Sequence, residues 1–131
     1  MASALNKLGV ITLFVEDPKR SRTFYELAFE GRVVHEDDDS VVFGLENVLL
    51  NLLRRTQAAE LVEPAGVAAS DAGASVLYTI WVDDADATCQ ALRDKGVELL
   101  NGPLDRPWGV RTAAFADPDG YAWEIAQPLK G

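Results

Sequence analysis

Histidine, cysteine and methionine each occur once in this 131-residue sequence, and positive charge is scarce. Twelve lysines and arginines stand against 21 aspartates and glutamates, a formal net charge of −9. A lone thiol, Cys89, excludes an internal disulfide and fits a reducing compartment. The shortage of basic residues excludes a phosphate-backbone partner, because nucleic-acid binders hold the backbone with basic patches that release counterions. It also sets the chain against anionic membrane surfaces. No apolar run approaches the ~20 residues that span a bilayer. The opening segment MASALNKLG lacks a full-length signal-peptide apolar region and cleavage site. The expectation is a cytoplasmic protein with neither nucleic acid nor membrane as partner.

What is present is a repeated plan. Residues 10–53 and 77–126 each read strand, helix, then strands, with VITLFVEDPKRSRTFYELAFEG in the first half and LYTIWVDDADATCQALRDKG in the second. In the first module, Val10–Val15 reads as a strand. Asp17 caps a helix with Pro18 in its first turn, where a missing N–H costs little. Ser21, Phe24, Tyr25 and Ala28 fall on one helical face, and Gly31 is expected to end the helix. Arg32–Glu36, Ser40–Leu45 and Val48–Leu53 read as strands. The run Glu36–Asp39 reads as a solvated turn. Residues 56–75, rich in Ala and Gly, form a connector in which AAELVEPAG suits a helical turn.

In the second module, Val76–Val82 is a strand, and Asp84 caps a helix from Ala85 to about Lys95 that Gly96 stops. Ala85, Cys89 and Leu92 make its apolar stripe, so Cys89 reads as a buried small hydrophobe. Val97–Leu100 is a short strand, GPLDRPWG (102–109) a loop, and Val110–Ala116 a strand. Asp117–Gly120 is a turn with Pro second and Gly fourth, and Tyr121–Ala126 is the closing strand. The whole reads as a single α+β domain, residues 1–131, with modules at about 8–55 and 76–128.

Side chains alternate along strands. Ile11, Leu13 and Val15, with Tyr78, Ile80 and Val82, suit packing on the helices. Thr12 and Phe14, with Thr79 and Trp81, are then the candidates to line a groove. Asn51 shares a face with Leu49 and Leu53, and Glu124 with Ala122 and Ala126. Tyr121, Trp123 and Ile125 point the other way, and Trp123 is assigned to the core.

The paired βαβββ modules, VEDPKRSRTFY, VDDADATCQALRDKGVEL and above all DRPWGVRTAAFADPDGYAWEI resemble the vicinal-oxygen-chelate superfamily. That superfamily includes glyoxalase I, extradiol dioxygenases, fosfomycin-resistance enzymes and bleomycin-resistance proteins. The resemblance implies two tandem βαβββ modules forming an open, cupped, eight-stranded mixed sheet, and a homodimer. Metal-using relatives place ligands at four slots, which align here with Val10, Leu77, Asn51 and Glu124. Only Glu124 is a good ligand, whereas a divalent ion wants three or more N or O donors. Residues 2–15 and 72–82 hold no His, Asp, Glu or Cys, so a shifted register supplies none. His35 lies outside all four slots and reads as a surface residue. No metal and no cofactor are therefore expected.

Glu124 has three open roles: a general base, an anchor for a cationic or hydrogen-bonding ligand, or a structural partner of Arg111 or Arg54. Phe14 and Trp81 occupy equivalent places and suit paired aromatic walls, with ordinary core packing the alternative. Trp108 sits where a Pro/Gly-framed loop can reach a mouth. Three readings of function follow. The first is a metal-free protein of the bleomycin-resistance type that sequesters an amphipathic or aromatic compound, such as an antibiotic, using Thr12, Phe14, Asn51, Thr79, Trp81, Trp108, Arg111 and Glu124. The second is a lyase, isomerase or dioxygenase-family enzyme with an atypical site in which Glu124 is catalytic. A vestigial member that works through a partner surface is a third.

Overall fold

A computed structural model of the chain describes residues 5–130, so Met1–Ala4 of the opening segment and Gly131 lie outside it. Contacts between residues divide the chain after Ala69 into two compact units. Each repeats the order βαβββ, and each builds a four-stranded mixed sheet.

The first unit runs β1 (Val10–Val15), α1 (Pro18–Ala28), β2 (Arg32–Glu36), β3 (Ser40–Gly44) and β4 (Leu49–Arg54), with sheet order β1-β4-β3-β2. β1 pairs with β4 in parallel and the other pairings are antiparallel. Asp17 caps α1, its side chain accepting from Lys19 N, and Pro18 opens the helix. Rows of side chains cross the sheet under α1. Leu13, Leu52 and Val41 make one row, and Leu50 and Phe43 belong to the next, all at most 2% exposed. Tyr25 of α1 completes this core, its ring centroid 6.0 Å from that of Phe43. A 3-10 turn (Arg55–Gln57) and a four-residue helix, α2 (Ala59–Val62), begin the connector, where AAELVEPAG predicts a helical turn.

Gly31 does not end α1, because the helix closes earlier, at Phe29, on extended backbone. Gly31 instead serves packing: a Cβ there would strike the Gly44 carbonyl and the Phe43 ring.

The second unit runs β5 (Leu77–Trp81), α3 (Ala85–Asp94), β6 (Leu99–Arg106), β7 (Val110–Ala116) and β8 (Ala122–Pro128), in the matching order β5-β8-β7-β6. Asp84 caps α3 through Ala87 N. Gly96, at φ +86°, ends it with Val97 N donating to Leu92 O, a Schellman closure. Phe115, Trp123 and Ile125 are at most 3% exposed beneath α3, and Tyr78 packs on Trp123 with ring centroids 5.0 Å apart.

A second expectation is corrected here. Residues 102–109 read as a loop, yet β6 continues through Gly102 and Pro103 to Arg106, and only Pro107–Gly109 remain as a hairpin tip. β6 lies at the sheet edge, where a proline forfeits no needed ladder donor. Gly102 adopts φ +82° at an irregular stretch of the β6–β7 pairing and sits against Thr112 O and Ala113, where a Cβ has no room. The residues that signal a break thus form a bulge.

Candidate functional site

In each unit one sheet face carries the helix and the other is free of it, and strand register assigns the side chains. In the first unit, Thr12, Asn51, Val42 and His35 stand in one row across β1, β4, β3 and β2. In the second, Thr79, Glu124, Ala114 and Asn101 make the equivalent row across β5, β8, β7 and β6. The duplication extends to irregularities, since β2 and β6 each shift register just before their row residue, at Val33/His35 and Leu99/Asn101.

In the first row, Asn51 Nδ2 lies 3.5 Å from Thr12 Oγ1, and Asn51 Oδ1 is buried with no hydrogen-bond partner among the described residues. Phe14 stands on the same face, opposite Leu53, and is half-buried. His35 is mostly exposed and its Nε2 lies 3.3 Å from Asp37 Oδ2.

In the second row, Thr79 Oγ1 donates to Glu124 Oε1 at 2.9 Å. Trp81 follows on the same face, opposite Ala126, with 67% of its surface exposed. The side chains around Glu124 are small: Ala114 beside it and Ala122 and Ala126 along β8. Trp108 occupies the hairpin tip between β6 and β7 and is 69% exposed.

Neither arginine proposed as a structural partner of Glu124 plays that part. Arg111 pairs with Gln127, so it projects toward α3, away from the Glu124 face. There its guanidinium binds Asp86 and Asp105, each at 2.9 Å, and these two carboxylates hold it firmly protonated. Arg54 binds Asp39 at 3.1 Å.

A residue that sequence reasoning passed over does join the face. Arg106 aligns with Leu104 and Thr112, and its Nε donates to Thr112 Oγ1 at 2.9 Å. One terminal nitrogen reaches Asn101 Oδ1 at 3.3 Å. Reading 102–109 as a loop hid it. The available signal was the alternation Leu104, Arg106, which continues a strand once Pro103 is allowed at an edge.

The donor set does not fit a divalent ion. In the first unit, Val10 is hydrocarbon and Asn51 offers a neutral amide. In the second, Leu77 is hydrocarbon and Glu124 is one carboxylate already bonded to Thr79. Among the described residues no three His, Cys, Asp or Glu side chains gather where they could hold a metal ion. Among the same residues, no helix is long and apolar enough to cross a membrane.

The family model of the Glyoxalase/Bleomycin resistance protein/Dioxygenase superfamily matches residues 7–125. The chain belongs to this superfamily. This glyoxalase/bleomycin-resistance chain is 34% identical over 127 residues to the uncharacterized protein YraH of Bacillus subtilis (strain 168), covering 94% of this chain and 99% of the relative. Its fold matches that of a glyoxalase/bleomycin resistance protein/dioxygenase from Nocardioides, with a TM-score of 0.87 at 22% identity over 99% of this chain and 88% of that one. It also matches TnmS3, an antibiotic binding protein from Streptomyces sp. CB03234, with a TM-score of 0.72 at 22% identity over 97% and 99% of the two chains. At such identities the structures establish the shared fold of the superfamily.

Proposed function

We propose that this superfamily member binds and sequesters a small aromatic or amphipathic compound on the helix-free face of its second unit, without a metal ion. One observation carries the reading. Glu124 is the carboxylate of that face, joined by a threonine and flanked by alanines and an exposed tryptophan, with no histidine, thiol or second carboxylate in its row. A lone carboxylate among hydrocarbon can orient a ligand's donor group. It lacks the paired acid and base, or the ligand set, that the reactions of enzymatic relatives would use. Trp81 supplies a flat apolar surface for a conjugated ring. The superfamily's own description spans enzymes and resistance proteins, and an antibiotic binding protein shares this fold, so sequestration of an antibiotic-like compound is the form the reading takes.

The test combines two measurements. Protein purified without chelators is assayed for bound metal, and tryptophan fluorescence is followed during titration with planar drug-like compounds. Absence of stoichiometric metal, together with saturable quenching that Trp81→Ala abolishes, supports sequestration. One equivalent of a divalent transition metal that disappears in Glu124→Ala overturns it in favour of a metalloenzyme.

A further inference from the structure

Arg106 is the cation of the face that carries Glu124, and its setting differs from that of the other arginines held in place by hydrogen bonds from their own side chains. Arg22, Arg54, Arg55 and Arg111 each approach a carboxylate. Arg106 is fixed by neutral groups alone: a hydroxyl of Thr112, which is 1% exposed, and the amide oxygen of Asn101. No carboxylate lies within ion-pair distance of it among the described residues, although the chain carries 21 acidic side chains. A guanidinium oriented in this way retains donors and its full charge for another partner.

The register places that partner. Asn101, Ala114 and Glu124 are consecutive members of one row, on β6, β7 and β8. Two strand spacings, about 9.6 Å, therefore separate the backbone at Asn101 from that at Glu124. Asn101 holds the tip of Arg106 at one end, and between the two ends the floor is only the methyl group of Ala114. Arg106 and Glu124 do not pair with each other, so the face presents a positive end, a small apolar floor and a negative end. Thr79 steadies the negative end and the Asn101–Thr112 pair steadies the positive one.

We propose that this arrangement selects a planar molecule bearing a carboxylate at one end and a hydrogen-bond donor or cation at the other. The carboxylate pairs with the Arg106 fork, the donor meets Glu124, and the ring lies over Ala114. The inference rests on the binding role proposed above and adds the ligand's charge pattern. A planar fork matched to a two-oxygen anion gives geometric selection as well as attraction. The positive end also offsets the repulsion that a chain of net charge −9 would otherwise exert on an anionic ligand.

The test uses 6-amino-2-naphthoate and its methyl ester, titrated into the whole chain by calorimetry. The ester keeps the ring and the amine and loses the charge. The acid is expected to bind at least about tenfold more tightly than the ester, the scale of one charge-assisted pair. Arg106→Met should remove that ratio, weakening the acid much more than the ester, whose carbonyl oxygen is only a neutral acceptor. Arg106→Lys, which keeps the charge but not the fork, should keep only part of it. Equal affinity of acid and ester for the unaltered protein overturns the charge pattern while leaving ring binding intact, and this arm needs no variant to fold. An equal loss for both ligands in a folded Arg106→Met protein assigns Arg106 to holding Thr112 and also overturns it. Failure of both compounds to bind at about 1 mM counts against the binding role itself.

Discussion

Thr79 and Glu124 are 45 residues apart in sequence and are joined side chain to side chain at 2.9 Å, across the parallel pairing of β5 and β8. The bond leaves the second carboxylate oxygen of Glu124 free to accept from a ligand and fixes the direction in which it points. A threonine also stands opposite Asn51 in the first unit, so the two modules keep the same register while differing in the group it displays.

Trp81 and Trp123 differ in exposure and role. Trp123 is 2% exposed and packed on Tyr78, and Trp81 is 67% exposed. Trp123→Ala is expected to cost about 3–5 kcal/mol of stability in denaturant unfolding. Trp81→Ala should stay within about 0.5 kcal/mol of the parent while losing the quenching by planar compounds. An equal loss of affinity in both variants, with the fold retained, would contradict the assignment of faces.

Asp37 organises the turn between β2 and β3. Its Oδ1 accepts from Asp39 N and Ser40 N, both at 2.9 Å, and from Ser40 Oγ at 3.1 Å. Chiefly the Asp39 amide, then the Ser40 hydroxyl and His35, hold its carboxyl below the ordinary aspartate range. A depressed acid adds stability above its unfolded pKa, and the gain is lost as pH falls through the folded value. The parent should therefore be more stable than Asp37→Asn at neutral pH. Thermal melts should show the difference closing as the pH drops below about 4.

Gly102 and Gly109 share positive φ, +82° and +91°, and differ in their surroundings. Among the described residues nothing lies within 4 Å of a Cβ at Gly109, whereas one at Gly102 meets the backbone of Thr112 and Ala113. Gly109→Ala should cost about 1–2 kcal/mol, the left-handed backbone penalty alone. Gly102→Ala should cost clearly more and disturb β6, read by denaturant unfolding and amide exchange along that strand.

Cys89 is fully buried in α3, and burial raises its thiol pKa. Native protein is expected to resist iodoacetamide at about pH 8 and to react fully once unfolded in guanidinium. Rapid labelling of the folded chain would mean that α3 opens readily from its sheet.

Much of the architecture is legible because strand and helix periods are strong signals. β1, β2 and β7 have the limits that their sequence predicts, and both aspartate caps fall in place. The rows containing Thr12 with Asn51 and Thr79 with Glu124 follow from a period of two. What alternation cannot supply is the effect of a bulge. The shift at Val33/His35 turns His35 onto the Asn51 face, and that at Leu99/Asn101 turns Asn101 onto the Glu124 face of the second unit. Arg111 is expected among the ligand-binding residues, but its parity with Ala113 and Phe115 directs it to α3, where Asp86 and Asp105 hold it. Arg106 was hidden by a glycine and prolines, whose ordinary meaning is a break.

Pro103 has one more consequence. It leaves β6, one of the two outer strands of the second sheet, without a donor at one position, in a stretch already irregular at Gly102. An incoming extended chain would find no continuous ladder to copy along that border. The residues that disguise a strand in the sequence therefore also protect it, discouraging stray polypeptides from adding to the sheet and seeding fibrils.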